Sequence, residues 1–570
     1  MIFIALASDY DGTLAQNGAI DAATRAGLER LRAFGKKIIL VTGRELPDLR
    51  RCFEPLKIFD AIVAENGALL FLPSTGEERL IAPAPPPALI AALKQKHVEP
   101  LSIGRGIIAT WSPNESIVLQ AIRDLGLDWQ VIFNKGAVMC LAPGVNKASG
   151  LEVAVEVLGL SAFNVVAIGD AENDLAFLKT SGCAVAVANA IDSVKSNADI
   201  VTSAARGAGV CELIDLWRSD ATATFGKVRR HDLYLGDSLL AGTPVNLRSD
   251  AGAILIAGSS GVGKSQLTTL LLERITERGY QVCALDPEGD YDTLENLAHV
   301  GDTERTPTPS EILGLLQNPR TSLSVNLLAT EVSERPIYFA HLWGQLHGLR
   351  TATGRPHWLV IDETHHLSPR CSESHEGAVS LDTASLILVT ARPDSLSLPA
   401  LMAVRTLIAV GEVAHEVVGS FCKLVGKKLP ARIAPPGADE VLYWECDGDA
   451  APQLIAIGKA RQAHRRHTRK YAEGSLGEDK SFYFRGPAQK LNLRARNLAA
   501  FMQLAQGVDD GTWLFHLRQG DYTRWFRDAI KDEELAGEVQ ALEANSDALE
   551  SRSLLFDAVK RRYAAADIDG

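Results

Sequence analysis

The residues of this sequence best suited to chemistry are two aspartates one position apart, Asp9 and Asp11, in the segment DYDGTL that closes an apolar run. In an extended chain alternate side chains fall on the same side, so both carboxylates leave the sheet edge together. Such carboxylates repel, and hard oxygen ligands of this kind suit Mg²⁺. Asp9 could attack a phosphorus atom while Asp11 protonates the leaving oxygen and later activates water. Thr42, which follows IILV, offers a hydroxyl to a phosphate oxygen. Lys147 offers a point charge to neutralise the nucleophile and the phosphoryl group. The run VVAIGDAENDLAFL supplies Asp170 and Asp174. The expected metal set is therefore Asp9, Asp11, Asp170 and Asp174.

A second centre lies in AILIAGSSGVGKSQLTTLLLERI, which reads as strand, glycine-rich loop and helix. Backbone N–H groups and a helix N-terminus cradle phosphates in that arrangement. Gly258, Gly261 and Gly263 shape the loop, Lys264 would reach the β- and γ-phosphates, and Ser265 would hold Mg²⁺. Further on, HWLVIDETHHL ends a strand with Asp362, placed for the Mg²⁺ shell, and Glu363, placed to polarise an attacking water. That glutamate favours hydrolysis over phosphoryl transfer to an alcohol. ATP and Mg²⁺ are the cofactors expected.

Elements must hold these groups in place. Residues 1–215 alternate β-branched runs (IFIALASD, KKIILVTG, FDAIVAEN) with helical patterns, the signature of a parallel sheet covered on both faces. Asp9, Thr42, Asn66 and Asp170 each close an apolar run, and ligands in such sheets bind at the carboxyl ends of strands. The proline-rich APAPPPA leaves this layer and the chain returns near Gly144–Lys147, so residues 83–146 form an inserted subdomain. Residues 216–250 read as a connector with some β structure, and 251–458 as a second α/β domain. Residues 459–480, polar and charge-rich, read as a linker. Residues 481–570 read as a helical accessory module.

The motifs DYDGTL, VTGR, NKASGL and GDAENDL, in that order, resemble the four motifs of the haloacid dehalogenase (HAD) superfamily. AENGA and GCAVAVANA are similar to its Cof-type, IIB branch, whose αβ cap falls between the second and third motifs. The resemblance implies a phosphatase with Asp9 as nucleophile, Asp11 as acid/base, Thr42 and Lys147 as phosphate binders, and Asp170 with Asp174 at Mg²⁺. It implies a small phosphorylated substrate such as phosphoglycolate or a sugar phosphate. Arg105, Asn114 and Lys135 are polar cap candidates for reaching it. The second half resembles HerA/FtsK-type ATPases: LDPEGDYDTL is similar to their Asp-Pro-x-Gly-Glu-Tyr, with Asp290 replacing the glutamate. LILVTARPDSL resembles their sensor strand, with Ala391 where glutamine is usual, so Thr390 or Arg392 takes the sensing role. The resemblance implies a hexameric ring, with Arg392, Arg405 or Arg432 completing a neighbour's site.

Composition narrows the class. The 570 residues exceed what one core accommodates. A net charge of −12 argues against a dominant nucleic-acid surface. Eight scattered cysteines without a CxxC pair fit neither a zinc site nor a disulfide framework. No stretch reaches the roughly 18 apolar residues of a membrane span, and a cytoplasmic enzyme is expected. The run His464–Lys470 reads as a solvated linker, and Trp513, Phe515, Tyr522, Trp525 and Phe526 as core rather than a base-stacking platform. The leading expectation is a Mg²⁺-dependent phosphatase fused to an ATPase. The alternatives are a nucleic-acid-linked motor or defence protein whose phosphatase acts on nucleotides or strand ends, and a polynucleotide kinase/phosphatase.

Overall fold

The computed structural model describes residues 2–563 other than 135, 250–251, 371–379, 382, 432–433, 449, 461–475, 477–479, 488–490, 531 and 546. Lys135, Arg432 and the basic run His464–Lys470 therefore lie outside the described residues. The chain forms two compact units, Met1–Asp232 with Gly348–His357, and Leu233–His347 with Trp358–Gly570. No described helix is long and apolar enough to cross a membrane. The seven described cysteines are free thiols.

In the first unit, β1 (Ala5–Ser8), β2 (Lys37–Val41), β3 (Ala61–Ala64), β4 (Leu69–Leu72) and β5 (Glu77–Leu80) precede the cap. The cap contributes β6 (Ser102–Ile103), β7 (Ile107–Trp111), β8 (Gln130–Asn134) and β9 (Ala137–Leu141). The chain then returns through β10 (Val165–Gly169), β11 (Cys183–Ala186) and β12 (Ile200–Val201). The main sheet runs β12-β11-β10-β1-β2-β3-β4-β5. From β12 to β3 the strands are parallel. The inner strands are buried along their length, which is why they read as continuous apolar runs rather than alternating ones. β4 and β5 join antiparallel, a departure from the all-parallel expectation. The short link from Ala64 to Leu69 leaves no room for the crossover a parallel strand requires.

The cap is a separate four-stranded sheet, β6-β7-β9-β8, entirely antiparallel. Two helices, Pro87–Gln95 and Glu115–Asp124, cover one face and share a core with it through Leu89, Leu93, Val118 and Ile108. Prolines at the start of the first helix fix its entry, because their missing N–H would be unpaired there anyway.

Among the described residues, the main sheet of the second unit has eleven strands. In chain order these are β13 (Leu233–Ser238), β14 (Pro244–Leu247), β15 (Ala253–Ala257), β16 (Val282–Asp286), β17 (Ala298–Val300), β18 (Leu323–Asn326), β19 (Trp358–Ile361), β20 (Leu386–Thr390), β21 (Val404–Ala409), β22 (Glu440–Glu445) and β23 (Gln453–Ile457). The spatial order is β14-β13-β23-β22-β21-β15-β20-β19-β16-β18-β17. The segment read as a connector thus supplies two of these strands: β13 pairs with β23 and carries β14 outside it. After these come a short hairpin, β24 (Phe482–Phe484) with β25 (Leu493–Ala495), and five helices between Leu498 and Tyr563. Trp513, Tyr522, Trp525 and Phe526 lie in the core of this C-terminal module, while Phe515 is only half-buried.

Candidate active site

Strand β1 lies between β10 and β2, where the order of the parallel sheet reverses. Crevices outside the carboxyl ends of strands form at such reversals. Register carries three motifs to the same edge: Ser8 is level with Ile168 and Leu40, so Asp9, Asp170 and Thr42 follow just beyond. Asp9 extends the ladder by donating its N–H to the Ile168 carbonyl at 3.0 Å.

Lys147 closes the group. It opens the helix Lys147–Val157, whose start is fixed by Asn146 and Ser149 in a reciprocal cap. Its ammonium donates to Asp9 Oδ1 at 2.5 Å and to Asp174 Oδ1 at 2.6 Å, with all three side chains almost wholly buried. The other Asp174 oxygen accepts the N–H groups of Asp170 and Ala171, each at 2.9 Å. Asp170 Oδ1 accepts the Thr13 hydroxyl at 3.2 Å. Burial and the neighbouring Asp174 push Asp9 up to about 7, against the pull of Lys147. Burial works to lower Lys147, but Asp174 and Asp9 outweigh it and raise the ammonium above its ordinary value. Gly12, at φ +94°, is required here. A Cβ would stand 2.4 Å from Asp170 Oδ2 in a left-handed backbone that side chains disfavour.

Asp9, Asp170 and Asp174 each present an oxygen within 4.8 Å of the others, a spacing that fits a shared metal ion. When all three carboxylates are ionised, they and the one ammonium leave two negative charges, which would match a divalent cation with hard-oxygen preference. The Asp11 side chain, expected in this set, is not part of it. Arg44 takes both its oxygens, Nε to Oδ2 at 2.6 Å and NH2 to Oδ1 at 2.7 Å. Arg44 also bonds Asp48 at 2.7 Å and lies over the Tyr10 ring. Thr42 is buried, and its hydroxyl oxygen accepts the Arg44 N–H at 3.1 Å, leaving its own hydrogen for another acceptor.

Of the described cap candidates, Arg105 pairs with Glu78, and Asn114 donates to the Glu99 carbonyl and the Thr110 hydroxyl, so both have structural partners. Glu65 and Asn189 were not singled out from the sequence. Glu65 accepts the N–H groups of Arg105 and Gly106, at 3.2 and 2.7 Å, and so ties the cap to the loop after β3. Asn189 bridges the Gly12 carbonyl and the Arg206 N–H. Their signal was limited to membership of AENGA and GCAVAVANA.

In the second unit β20 lies between β15, which leads into the glycine loop, and β19, which ends at Asp362. Gly258 follows β15, Gly261 and Gly263 have left-handed φ of +88° and +104°, and Lys264 and Ser265 open the helix Lys264–Glu277. Lys264 Nζ donates to the Ser259 carbonyl at 2.7 Å. Asp362 accepts the Glu363 N–H at 2.8 Å and the Tyr291 hydroxyl at 2.7 Å. Burial and Glu363 push it up to about 7. Asp286, at the end of β16, accepts the N–H groups of Glu288 and Tyr291, which shapes the DPEGDY turn. Glu363 is buried in a left-handed backbone (φ 39°). Among the described residues its Oε2 makes no hydrogen bond, while His365 Nδ1 stands 3.3 Å away. His365 Nδ1 also lies 3.1 Å from the Thr390 hydroxyl, joining Glu363 to the expected sensor position. Arg392 is exposed, and Arg405 pairs with Asp447 at 2.9 Å. Beside the glycine loop is a cavity of about 310 Å³ lined by Val262, Gly263, Gln266, Val410, Glu440 and Ile457, among others.

Residues 6–105 and 119–214 match the family model of haloacid dehalogenase-like hydrolases. A phosphoglycolate phosphatase of Methanothermobacter thermautotrophicus is 32% identical over 224 residues, 37% of this chain and 96% of that protein. The chain belongs to the haloacid dehalogenase-like hydrolases. Within this HAD family a phosphoglycolate phosphatase of Natronomonas pharaonis is 31% identical over 228 residues, 38% of this chain and 98% of that protein. A solved haloacid dehalogenase-like hydrolase from Bacteroides thetaiotaomicron is 21% identical, covering 37% of this chain and 98% of its own at a TM-score of 0.33. Residues 241–335 match the central domain of helicase HerA. The HAD unit is therefore joined to a HerA-like central domain on one chain.

Proposed function

We propose that the HAD unit is a Mg²⁺-dependent phosphatase of a small phosphorylated acid, with phosphoglycolate the first candidate, and that the HerA-like domain hydrolyses ATP. The observation that carries the first part is the buried group of Asp9, Lys147, Asp170 and Asp174, in which three carboxylates each bring an oxygen within 4.8 Å of the others. The names of the relatives support the substrate class.

Asp9 is the nucleophile: its carboxylate oxygen bonds to phosphorus as the ester oxygen departs with a proton from Asp11. Asp11 then takes a proton from water, whose oxygen displaces the Asp9 carboxylate and releases phosphate. Both Asp11 oxygens are held by Arg44, so the guanidinium fork opens for this exchange. Lys147 keeps the nucleophile oriented, and the Thr42 hydroxyl donates to a phosphate oxygen. Mg²⁺ held by Asp9, Asp170 and Asp174 would screen the carboxylates and polarise the phosphoryl group.

In the second unit Lys264 and the loop N–H groups hold the phosphates, Ser265 and Asp362 would hold the accompanying Mg²⁺, and Glu363 takes the proton of the attacking water. The cavity beside Val262 and Ile457 takes the nucleoside. Release of phosphate from phosphoglycolate, sugar phosphates, nucleotides and 3'-phosphorylated DNA by the wild type and Asp9→Asn tests the phosphatase reading. Phosphoglycolate turnover that disappears in Asp9→Asn is expected. Turnover unchanged in that variant would overturn the assignment of the nucleophile.

A further inference from the structure

The last residue of the segment read as a linker is placed at the nucleotide site. Lys480 Nζ bonds Glu288 Oε1 at 2.6 Å and stands 3.8 Å from Glu363 Oε1, the carboxylate assigned to activate water. Both glutamates are buried. The lysine does not hang from a loose chain: its carbonyl accepts the Trp525 indole N–H at 2.8 Å. The next residue, Ser481, accepts from Arg494 Nε at 3.0 Å and donates to the Leu476 carbonyl at 3.1 Å. Phe482 then enters the aromatic core of the C-terminal module, packing on Phe501, Tyr522 and Trp525.

Glu363 therefore has polar neighbours on two sides, of which only Lys480 is a full cation. Its Oε2 faces His365, which leads to Thr390 on β20, and its Oε1 faces Lys480 on the C-terminal module. Asp286, Asp290 and Asp362 crowd the same region, and Asp362 and Asp290 act on one another through charge. Buried Arg335 also acts on Glu288 and Glu363 through charge, so it and Lys480 together balance them, and without Lys480 the like-charged neighbours would drive the two glutamates apart.

We propose that Lys480 is a positioning residue for ATP hydrolysis, holding Glu288 and Glu363 in the geometry that activates water and so making hydrolysis depend on the seated C-terminal module. The inference rests on the reading of the second unit as an ATPase. A misplacement of about 1 Å in such a group costs on the order of 10²-fold in rate.

The test is steady-state ATP hydrolysis by the full chain as wild type, Lys480→Ala, Lys480→Met, Lys480→Arg and Trp525→Phe, with Lys264→Ala as the inactive reference. Lys480→Met retains the apolar stem, so a fold defect from lost packing is separated from loss of charge. The expected result is a kcat lower by about 10–100-fold in Lys480→Ala and Lys480→Met, with KM for ATP within about threefold. Lys480→Arg recovers most of the rate, and Trp525→Phe, which removes the N–H holding the Lys480 carbonyl, falls between. An unchanged or higher kcat in folded Lys480→Met, or a change confined to KM, overturns the positioning role. A wild type that hydrolyses no more ATP than Lys264→Ala removes the ATPase reading and this inference with it. That outcome is distinct because all variants then coincide.

Discussion

Arg44 holds Asp11 in a two-pronged grip, Nε to Oδ2 at 2.6 Å and NH2 to Oδ1 at 2.7 Å, while its own main-chain N–H binds the Thr42 hydroxyl. One residue of VTGR thus holds both the proposed acid/base group, Asp11, and the proposed phosphate-binding hydroxyl of Thr42. Planar two-point geometry of this kind is specific to arginine. Arg44→Lys keeps the charge and loses the fork that returns Asp11 to one orientation after each proton exchange, so phosphate release should slow by about tenfold or more while Asp9 remains reactive. Turnover of phosphoglycolate and of p-nitrophenyl phosphate measures the effect.

Asp11→Asn should lower the turnover of an alkyl phosphate by about 10²–10⁴-fold, the usual scale of general acid–base catalysis. An aryl phosphate with a good leaving group needs less protonation, so its first step should be less affected. A smaller loss of the phosphorylation rate with p-nitrophenyl phosphate than with phosphoglycolate, in single-turnover measurements, is the expected outcome. Equal losses would remove the leaving-group role from Asp11.

Lys147→Met should leave Asp9 and Asp174 buried without their shared ammonium. Removing one partner of a buried ion pair costs about 3–5 kcal/mol. The unfolding midpoint of the HAD unit should fall in EDTA, and added Mg²⁺ should recover part of the loss by binding the folded form. Thermal unfolding with and without Mg²⁺ checks both. The wild type should also gain stability from Mg²⁺, and Asp174→Asn should reduce that gain.

Gly12→Ala introduces a methyl group 2.4 Å from Asp170 Oδ2 and forces alanine to φ +94°. Phosphate release should fall by at least about tenfold because Asp170 must move, and backbone strain of about 1–3 kcal/mol should appear in the unfolding midpoint. ATP hydrolysis in the same preparation is the internal reference and should be unchanged.

Asp9→Asn and Lys264→Ala should behave as complementary lesions. The first should lose phosphate release by about 10³-fold or more and still bind ATP; the second should lose ATP hydrolysis and keep the phosphatase. Fluorescent-nucleotide titration alongside phosphate release tests this. Loss of nucleotide binding in Asp9→Asn would contradict independent centres.

Local sequence fixes the pieces of both centres. Apolar runs ending in Asp9, Thr42 and Asp170 announce strands whose tips carry polar groups, because parallel strands bury both faces and only their ends meet water. The strand-loop-helix pattern around Gly258–Ser265 likewise needs no distant partner to be legible. Tertiary structure decides which distant pieces meet. Asn146 caps a helix whose first residue, Lys147, then reaches Asp9 and Asp174, and only packing brings those segments together. The interposition of β20 between β15 and β19 follows from crossover topology, which spacing along a chain does not encode. Asp11 shows the same division: its spacing from Asp9 placed it at the sheet edge, but a guanidinium from the loop after β2 turned its carboxylate away from the other three. Lys480 was the least legible of all. Its neighbours in sequence are those of a solvated linker, and its role at Glu288 and Glu363 arises from how the aromatic core around Trp525 docks its backbone.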